Sequence, residues 1–229
     1  MLEASKAAAR RNYDRRFATR YFLGDGIDIG CGQDPIANYH EFFPLMRSLR
    51  PWDLTDGDGM LLEGVADESF DFVHSSHSLE HMSDPKVAME NWIRVCKKGG
   101  HLVLLLPDED MFEQGNWPSA YAGADHITAW TIKKNESWCS ASHNITDFFG
   151  QFADQIEILK IEKLDSSYLY TLPAMDQTRG MIQECAVEVI LRKKTDEEIR
   201  RKGRLPAEKT FNYKVGWLFL KSSLYWYID

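Results

Sequence analysis

Short apolar runs, separated by polar or glycine-containing segments, follow one another through the first half of the chain and predict alternating strands and helices. Strands are expected at 26–29, 69–76 and 101–107, and the last of these, HLVLLLP, has the continuous apolar character of a strand covered on both faces. Residues 84–100 predict a helix that Asp84 caps and two glycines end. Strands that alternate with helices are typical of a parallel sheet.

The C-terminal half has a different pattern. Residues 156–164 and 186–194 are both strand-like, and the second run alternates Val187, Val189 and Leu191 with charged side chains. The sequence between the two runs does not predict a helix. We therefore expect an antiparallel pair of strands at the edge of the sheet.

Two further helices are expected near the N-terminus. Residues 1–22 are rich in alanine and arginine, which favours a helix with a basic, solvent-exposed face formed by Arg10, Arg11, Arg15 and Arg16. A second helix is expected after the first strand, with Asp34 as its cap and Pro35 at its first position.

Composition limits the class of protein. With 229 residues and 44% hydrophobic content, the chain can bury the core of one domain with extensions. Its net charge of -8 argues against a nucleic-acid partner, because binding to a phosphate backbone depends mostly on positive charge. The four cysteines form no Cys-x-x-Cys pair, so neither a disulfide framework nor a zinc knuckle is indicated.

The same features predict a cytoplasmic location. The N-terminus is too charged for the apolar core of a signal peptide, and no apolar run reaches the roughly 18 residues that span a bilayer. The alternative is that the arginine-rich start is an organelle presequence.

The segment GIDIGCG, residues 26–32, places Gly30 and Gly32 directly after an apolar strand and an acid, Asp28, inside it. Glycine costs conformational entropy on folding, so its use here indicates that something approaches the backbone closely. A nucleotide-like ligand is the usual occupant of such a turn.

Four features together resemble the class I S-adenosylmethionine-dependent methyltransferases. They are the glycine turn, GDG (57–59) leading to DESFDFVHSSHSLEHM (67–82), RVCKKGGHLVLLLP (94–107), and the closing strand pair. The resemblance covers residues 22 to 192. It implies an α/β, Rossmann-like, doubly wound sheet of seven mostly parallel strands with an antiparallel edge pair. The cofactor, S-adenosylmethionine, would lie across the carboxyl ends of the first strands.

The resemblance also implies positions for the cofactor. Its methionine and ribose portion would lie on the turn of Gly30, Cys31 and Gly32, with Asp28 orienting the amino acid end. Asp53 is the expected ribose ligand, because it follows Gly32 at the separation at which a second strand delivers a carboxylate. The adenine would contact Asp58, Gly59 and Met60, and the segment that lines the transferring methyl group corresponds to Ser75, Ser76 and His77.

Two departures from the family pattern leave an alternative open. Asp34 replaces the third glycine, and Asp58 follows Asp53 by only five positions, so a half-strand between them must be cut short or missing. Asp53, Asp56 and Asp58 would, in that alternative, simply form turns.

The histidines suggest two kinds of role. His74, His77 and His81 lie close enough in sequence for a metal site, but we expect them to pack rather than ligate, and no metal is predicted. His77 and His126 are the expected catalytic residues, as acceptor contacts or proton acceptors. His126 lies in a long aromatic insertion, 108–150, which is expected to cover the acceptor; a packed lid without chemistry is the alternative.

The predicted function is therefore in-line methyl transfer from S-adenosylmethionine to a small molecule or a saccharide, with oxygen, nitrogen and carbon acceptors all open. An NAD-dependent oxidoreductase is an alternative, although its fingerprint requires glycine where Pro35 stands. A scaffold that binds the cofactor without catalysis is another.

The last expectation concerns the domains. Residues 1–192 would form the methyltransferase domain and 193–229 a C-terminal extension. The extension contains an aromatic segment, 210–229, which is too apolar to remain in water. It could pack on its own domain, form a homodimer contact or, least favoured, lie at a membrane surface.

Overall fold

The computed structural model describes residues 3–121 and 125–206. The chain divides into two compact units, Met1–Asp196 and Glu197–Asp229, and the first contains every strand of the described residues. The aromatic segment 210–229 lies outside the described residues, so its packing, dimer and membrane roles stay predictions. The predicted division after residue 192 also stays a prediction.

Eight strands and four α-helices make up the regular structure of the described residues. The strands are β1 Gly24–Ile29, β2 Met46–Trp52, β3 Phe70–Ser76, β4 Cys96–Pro107, β5 Ala129–Thr131, β6 Ser142–Asn144, β7 Ile156–Leu164 and β8 Ala186–Lys193. The α-helices are α1 Glu3–Arg11, α2 Pro85–Val95, α3 Ile145–Gly150 and α4 Asp196–Arg201. Short 3₁₀ helices occupy Ile36–Phe42, Leu79–His81 and Gln177–Arg179, and π-helical turns occupy Phe17–Tyr21 and Glu109–Glu113.

Six strands form the main sheet, in the order β2-β1-β3-β4-β8-β7. Strands β2, β1, β3 and β4 are parallel, whereas β8 pairs antiparallel with both β4 and β7. The predicted α/β class, the mostly parallel sheet and the antiparallel edge pair are therefore confirmed. β5 and β6 form a separate two-stranded sheet.

The expectation of seven strands was wrong for the described residues, because the main sheet has six. The chain turns immediately after β2: the N–H of Asp56 donates to the carbonyl of Asp53 at 2.7 Å. This turn leaves no length for the half-strand that the short spacing from Asp53 to Asp58 had placed in doubt, and β2 becomes the edge of the sheet.

Helix α2 begins where the sequence predicts and ends earlier. The Asp84 carboxylate accepts hydrogen bonds from the backbone N–H groups of Lys86 and Val87. The helix ends at Val95, and Gly99 and Gly100 lie in β4 instead of ending the helix. A Cβ at Gly100 would lie 2.5 Å from the Asp71 carbonyl, so the glycine allows two strands to approach closely.

Apolar side chains cover the sheet on both faces. One cluster packs α2, including Trp92, with β1, β3, β4 and β8. The other joins α1 to an aromatic group of Phe17, Phe22, Phe43 and Phe72. A continuous apolar strand such as β4 is explained by these two layers, because its side chains are buried on both sides. Within the described residues, no helix combines the length and the apolar character that crossing a membrane requires.

The helix predicted over residues 1–22 is broken: α1 ends at Arg11, and a π-helical turn at Phe17–Tyr21 follows. The predicted basic face also differs from the structure. Arg11 is only 1% exposed, and its Nε donates to Glu188 Oε1 on β8 at 2.9 Å. Arg10 donates to both Glu188 and Glu184. The prediction of a solvent-exposed face was wrong for these two arginines, because carboxylates in the protein interior lie opposite them.

The segment after β1 also differs from the prediction. It forms a 3₁₀ helix, and Asp34 does not cap it; the Asp34 carboxylate accepts from the Ser5 N–H and the Tyr39 hydroxyl instead. The first helical N–H, that of Ile36, donates to Asp28 Oδ2 at 2.8 Å. Asp28 therefore takes the acceptor role that the sequence assigned to Asp34.

Candidate active site

A cavity of about 340 Å³ lies at the carboxyl ends of β1 and β3. This edge is where an open α/β sheet binds its ligands. The predicted site residues that line it are Asp28, Gly30, Cys31, Gly32, Ser76, His77 and His126. The cavity therefore joins residues expected at the cofactor with residues expected at the methyl acceptor.

The two glycines of the turn differ in their surroundings: a side chain at Gly30 would clash with a neighbour, whereas one at Gly32 would face open space. Gly30 has φ +69°, and a Cβ there would lie 1.7 Å from Ser78 Oγ. Gly32 has φ +53°, and a Cβ there would have Asp53 Oδ2, at 4.0 Å, as its nearest neighbour. Gly30 thus allows β1 to pack against the segment after β3, whereas Gly32 leaves its backbone accessible to a ligand.

Asp28 ends a buried chain of charged and polar groups. Its Oδ1 accepts from His74 Nδ1 at 2.6 Å, and the opposite ring nitrogen, Nε2, accepts from Arg11 Nη1 at 3.0 Å. A guanidinium has donors only, so His74 is neutral and carries its proton on Nδ1. Arg11 in turn donates to Glu188. His74 is therefore committed to this chain and does not join the other histidines.

The acidic turn after β2 has both turn-forming and free carboxylate oxygens. Asp53 Oδ1 accepts from the Leu54 N–H and Asp58 Oδ1 from the Met60 N–H, each at 2.7 Å. Asp53 Oδ2 is the oxygen that faces Gly32. A second cavity, of about 450 Å³, is lined by Asp58, Gly59 and Met60, the residues expected around the adenine.

The two serines at the end of β3 differ in position. Ser75 Oγ donates to the Ile29 carbonyl at 3.0 Å and lines neither cavity, so it joins β3 to β1. Ser76 lines the first cavity, and its buried Oγ has no hydrogen-bond partner within the described residues. Cys31 also lines this cavity, and burial raises the pKa of its thiol to about 11.

At the acceptor end, three histidines surround the buried carboxylate of Glu80. Its Oε1 lies 3.7 Å from His77 Nδ1, 3.8 Å from His126 Nε2 and 3.9 Å from His81 Nε2. His126 Nδ1 donates to Glu113 Oε1 at 2.6 Å. His81 lines both cavities, so it stands at their junction.

Burial sets the charge of these groups. It lowers the pKa of His77 to about 3, with a smaller contribution from His126, so the His77 ring is neutral. It raises the pKa of Glu80 to about 7. Burial would also lower the pKa of His126, but the hydrogen bond to Glu113 and the charge of Glu80 outweigh it and raise that pKa.

Several of these residues were missed by sequence reasoning. Arg11, Glu80 and Glu113 belong to α1, to the turn after β3 and to the π-helical turn after β4, which are far apart in sequence. Glu80 lies in the quoted LEHM segment, but a glutamate at that position carries no signal of burial. The aromatic insertion supplies His126 and Phe112 to the cavity, while its Trp130 is buried in the core.

Comparison with known proteins agrees with the geometry. Residues 43–104 match the family model described as a methyltransferase domain. The chain matches no curated protein sequence.

Among solved structures, the chain is similar to the Haloferax volcanii protein found in complex with the methyltransferase activator Trm112, with 14% identity, TM-score 0.55, and 85% of this chain and 99% of that chain covered. It is also similar to an S-adenosylmethionine-dependent methyltransferase of Archaeoglobus fulgidus, with 17% identity, TM-score 0.52 and coverage of 85% and 95%. These similarities concern the fold.

The predicted fold is confirmed: the chain shares the α/β fold of these methyltransferase structures, and residues 43–104 match a methyltransferase domain model. S-adenosylmethionine is the cofactor of the Archaeoglobus fulgidus protein. The glycine turn, the facing Asp53 and the adjacent cavities are compatible with that cofactor, because they offer a bare backbone and a carboxylate at the expected places.

Proposed function

We propose that this protein transfers the methyl group of S-adenosylmethionine to a small-molecule or saccharide acceptor that binds at the histidine end of the 340 Å³ cavity. The observation that carries the proposal is the continuity of this cavity from the glycine turn to His77 and His126. A cavity of this volume suits a small acceptor.

The chemistry is a displacement at carbon. A lone pair of the acceptor forms a bond to the methyl carbon while the bond from carbon to sulfur breaks, and its electron pair stays on sulfur as the neutral thioether S-adenosylhomocysteine. A hydroxyl or ammonium acceptor also loses a proton. Holding acceptor, methyl carbon and sulfur in line contributes most of the acceleration, about 7–11 kcal/mol for well-oriented reactants.

On the cofactor side, we assign the ribose hydroxyls to Asp53 and the adenine amine to Asp58. Asp53 has one oxygen in its own turn and one directed at Gly32, which favours a ligand role over a purely structural one. Asp28 is fully hydrogen-bonded by His74 and Ile36, so it would act by holding the turn and ordering solvent near the amino acid end.

Asp53→Ala tests the cofactor assignment. We expect S-adenosylmethionine to bind about 10- to 100-fold more weakly by calorimetry, because charge-assisted hydrogen bonds worth about 1.5–3 kcal/mol are lost. Asp56→Ala is the matched control, since Asp56 accepts the Asp53 N–H in the same turn. Equal effects of the two changes would mean that both act through the turn.

His77→Ala and His126→Ala test the acceptor end. Both should lower turnover and leave the affinity for S-adenosylmethionine within a few fold, because neither lines the cavity of Asp58, Gly59 and Met60, where the adenine is expected. A thermal-shift screen with S-adenosylmethionine, S-adenosylhomocysteine and NAD comes first, followed by an acceptor screen. Binding without any turnover would favour the scaffold; stabilisation by NAD alone would favour the oxidoreductase.

A further inference from the structure

The carboxylate of Glu80 has an unusual environment. It is 0% exposed, and neither Oε1 nor Oε2 has a hydrogen-bond partner within the described residues. A buried polar group without partners is costly, and a buried charge more so. The donors expected around a carboxylate are replaced here by imidazole nitrogens of His77, His81 and His126 at 3.7–3.9 Å. That spacing is too long for hydrogen bonds and leaves space between the groups.

We propose that Glu80, His81 and His126 bind one divalent transition-metal ion of the zinc class. One ligand atom from each residue lies within 4.8 Å of the others. Ligand atoms about 2.1 Å from a tetrahedral zinc ion lie about 3.4 Å apart, so binding requires each side chain to move by less than about 1 Å. Two imidazoles and one carboxylate are a donor set that suits zinc and its neighbours over magnesium or calcium.

The surroundings of His126 support this assignment. Its Nδ1 donates to Glu113 Oε1 at 2.6 Å, and Nε2 faces Glu80, where it can bind an ion after losing its proton. A carboxylate that holds the far nitrogen of a histidine is the usual arrangement behind a metal-binding imidazole. Glu113 is therefore a positioning residue, which acts on the ion through His126.

The three ligands come from two segments that are joined by backbone hydrogen bonds. Glu80 and His81 lie in the 3₁₀ helix Leu79–His81, and the Glu80 carbonyl accepts the N–H groups of Ile127 and Thr128 at 2.9 and 3.2 Å. These backbone bonds hold His126 beside Glu80. A site with three protein ligands leaves a fourth position, as in catalytic zinc sites, and here His81 and His126 face the 340 Å³ cavity.

The role of the ion rests on the proposed function, whereas its binding does not. An ion at this place would coordinate an acceptor that offers an oxygen or a sulfur, and it would lower the pKa of that group toward the nucleophilic form. The inference therefore narrows the acceptor class to hydroxyl or thiol compounds.

The test uses the full-length protein after treatment with a chelator. Equilibrium dialysis against Zn²⁺ should give one ion per chain, and titration with Co²⁺ should produce the visible absorption of a low-coordinate site. Glu80→Gln and His81→Ala should each weaken binding at least tenfold, and Glu113→Gln about 10- to 100-fold. His40→Ala is the control, because His40 has a 76% exposed side chain and takes no part in the cluster, and its affinity should equal that of the wild type.

Absence of bound Zn²⁺ and Co²⁺ in the wild type would overturn the proposal, as would wild-type affinity in His81→Ala. His81 is partly exposed, so this variant keeps the test valid if the buried Glu80→Gln does not fold. S-adenosylmethionine affinity is measured on the same samples. Metal binding without S-adenosylmethionine binding would contradict the proposed function and support the metal site. S-adenosylmethionine binding without metal binding would contradict the metal site alone.

Discussion

Two buried carboxylates have opposite surroundings: Asp28 lines the 340 Å³ cavity, and Glu80 lies behind the histidines that line its other end. Asp28, at the cofactor end, is 1% exposed and accepts from both His74 and the Ile36 N–H. Glu80, at the acceptor end, is 0% exposed and has no hydrogen-bond donor within the described residues. The protein therefore supplies hydrogen-bond donors to the Asp28 carboxylate, whereas the described residues supply none to that of Glu80. The full hydrogen bonding of Asp28 is typical of a structural group, whereas the lack of donors at Glu80 fits the ion proposed above.

The largest effect we expect is the loss of folding stability when the hydrogen-bonded chain of Asp28, His74, Arg11 and Glu188 is broken. Arg11→Met should reduce the free energy of unfolding by about 3–5 kcal/mol, because it leaves buried Glu188 and His74 without their common donor. Arg16→Met is the matched control: its salt bridge with Asp14 is half exposed and is worth less than about 1 kcal/mol. Urea denaturation measures both. Similar losses in the two variants would show that the buried hydrogen bonds of Arg11 stabilise the protein no more than the exposed salt bridge of Arg16.

Isosteric amides compare the two carboxylates directly. Asp28→Asn should destabilise the protein by about 2–3 kcal/mol, because a charge-assisted bond from His74 is weakened and the amide donors cannot replace it. Glu80→Gln in metal-free protein should change stability by less than about 1 kcal/mol, because its carboxylate has no hydrogen bond to lose. Both values come from urea denaturation at neutral pH. A larger loss for Glu80→Gln would contradict the comparison.

The glycine turn at the cofactor end can be tested with two glycines of similar backbone conformation. Gly30→Ala and Gly64→Ala both place a side chain at positive φ, +69° and +76°, but only Gly30 has a close neighbour, Ser78 Oγ at 1.7 Å from the added Cβ. Gly64→Ala should cost about 1 kcal/mol and Gly30→Ala about 1–3 kcal/mol more. Thermal unfolding measures the difference. Equal costs would mean that Ser78 moves aside freely.

The smallest effect concerns pH. Burial alone would raise the pKa of Glu188, but the charges of Arg11, Arg10 and Lys160 hold it well below its ordinary value of 4.5. Since the folded-state pKa is lowered, the stability from this group is complete above about pH 5 and is lost as pH falls below 4.5 toward the folded value.

Between pH 7 and pH 4 the wild type should therefore lose about 1 kcal/mol that Glu188→Gln does not lose. Urea denaturation at the two pH values gives the comparison. Parallel pH profiles for the two proteins would mean that Glu188 has an ordinary pKa in the folded state.

The α/β fold class, the parallel strands β1, β3 and β4, the antiparallel pair β7 and β8, and the glycine turn could all be predicted from the sequence. These features depend on local causes: apolar runs form strands, Asp84 caps α2 through its own neighbours, and Gly30 takes a positive φ where the chain leaves β1. Such causes act within a few residues, so a sequence pattern can reveal them.

The contacts between charged groups, in contrast, follow from tertiary packing. Closeness in sequence suggested His74, His77 and His81 as a group, but β3 directs His74 toward Arg11 and Asp28, and the backbone bonds from Ile127 and Thr128 to Glu80 bring His126 to His81. The buried partners Arg11 and Glu188 lie on α1 and β8 at opposite ends of the domain's sequence. Burial depends on what packs from distant parts of the chain, and no local pattern records it.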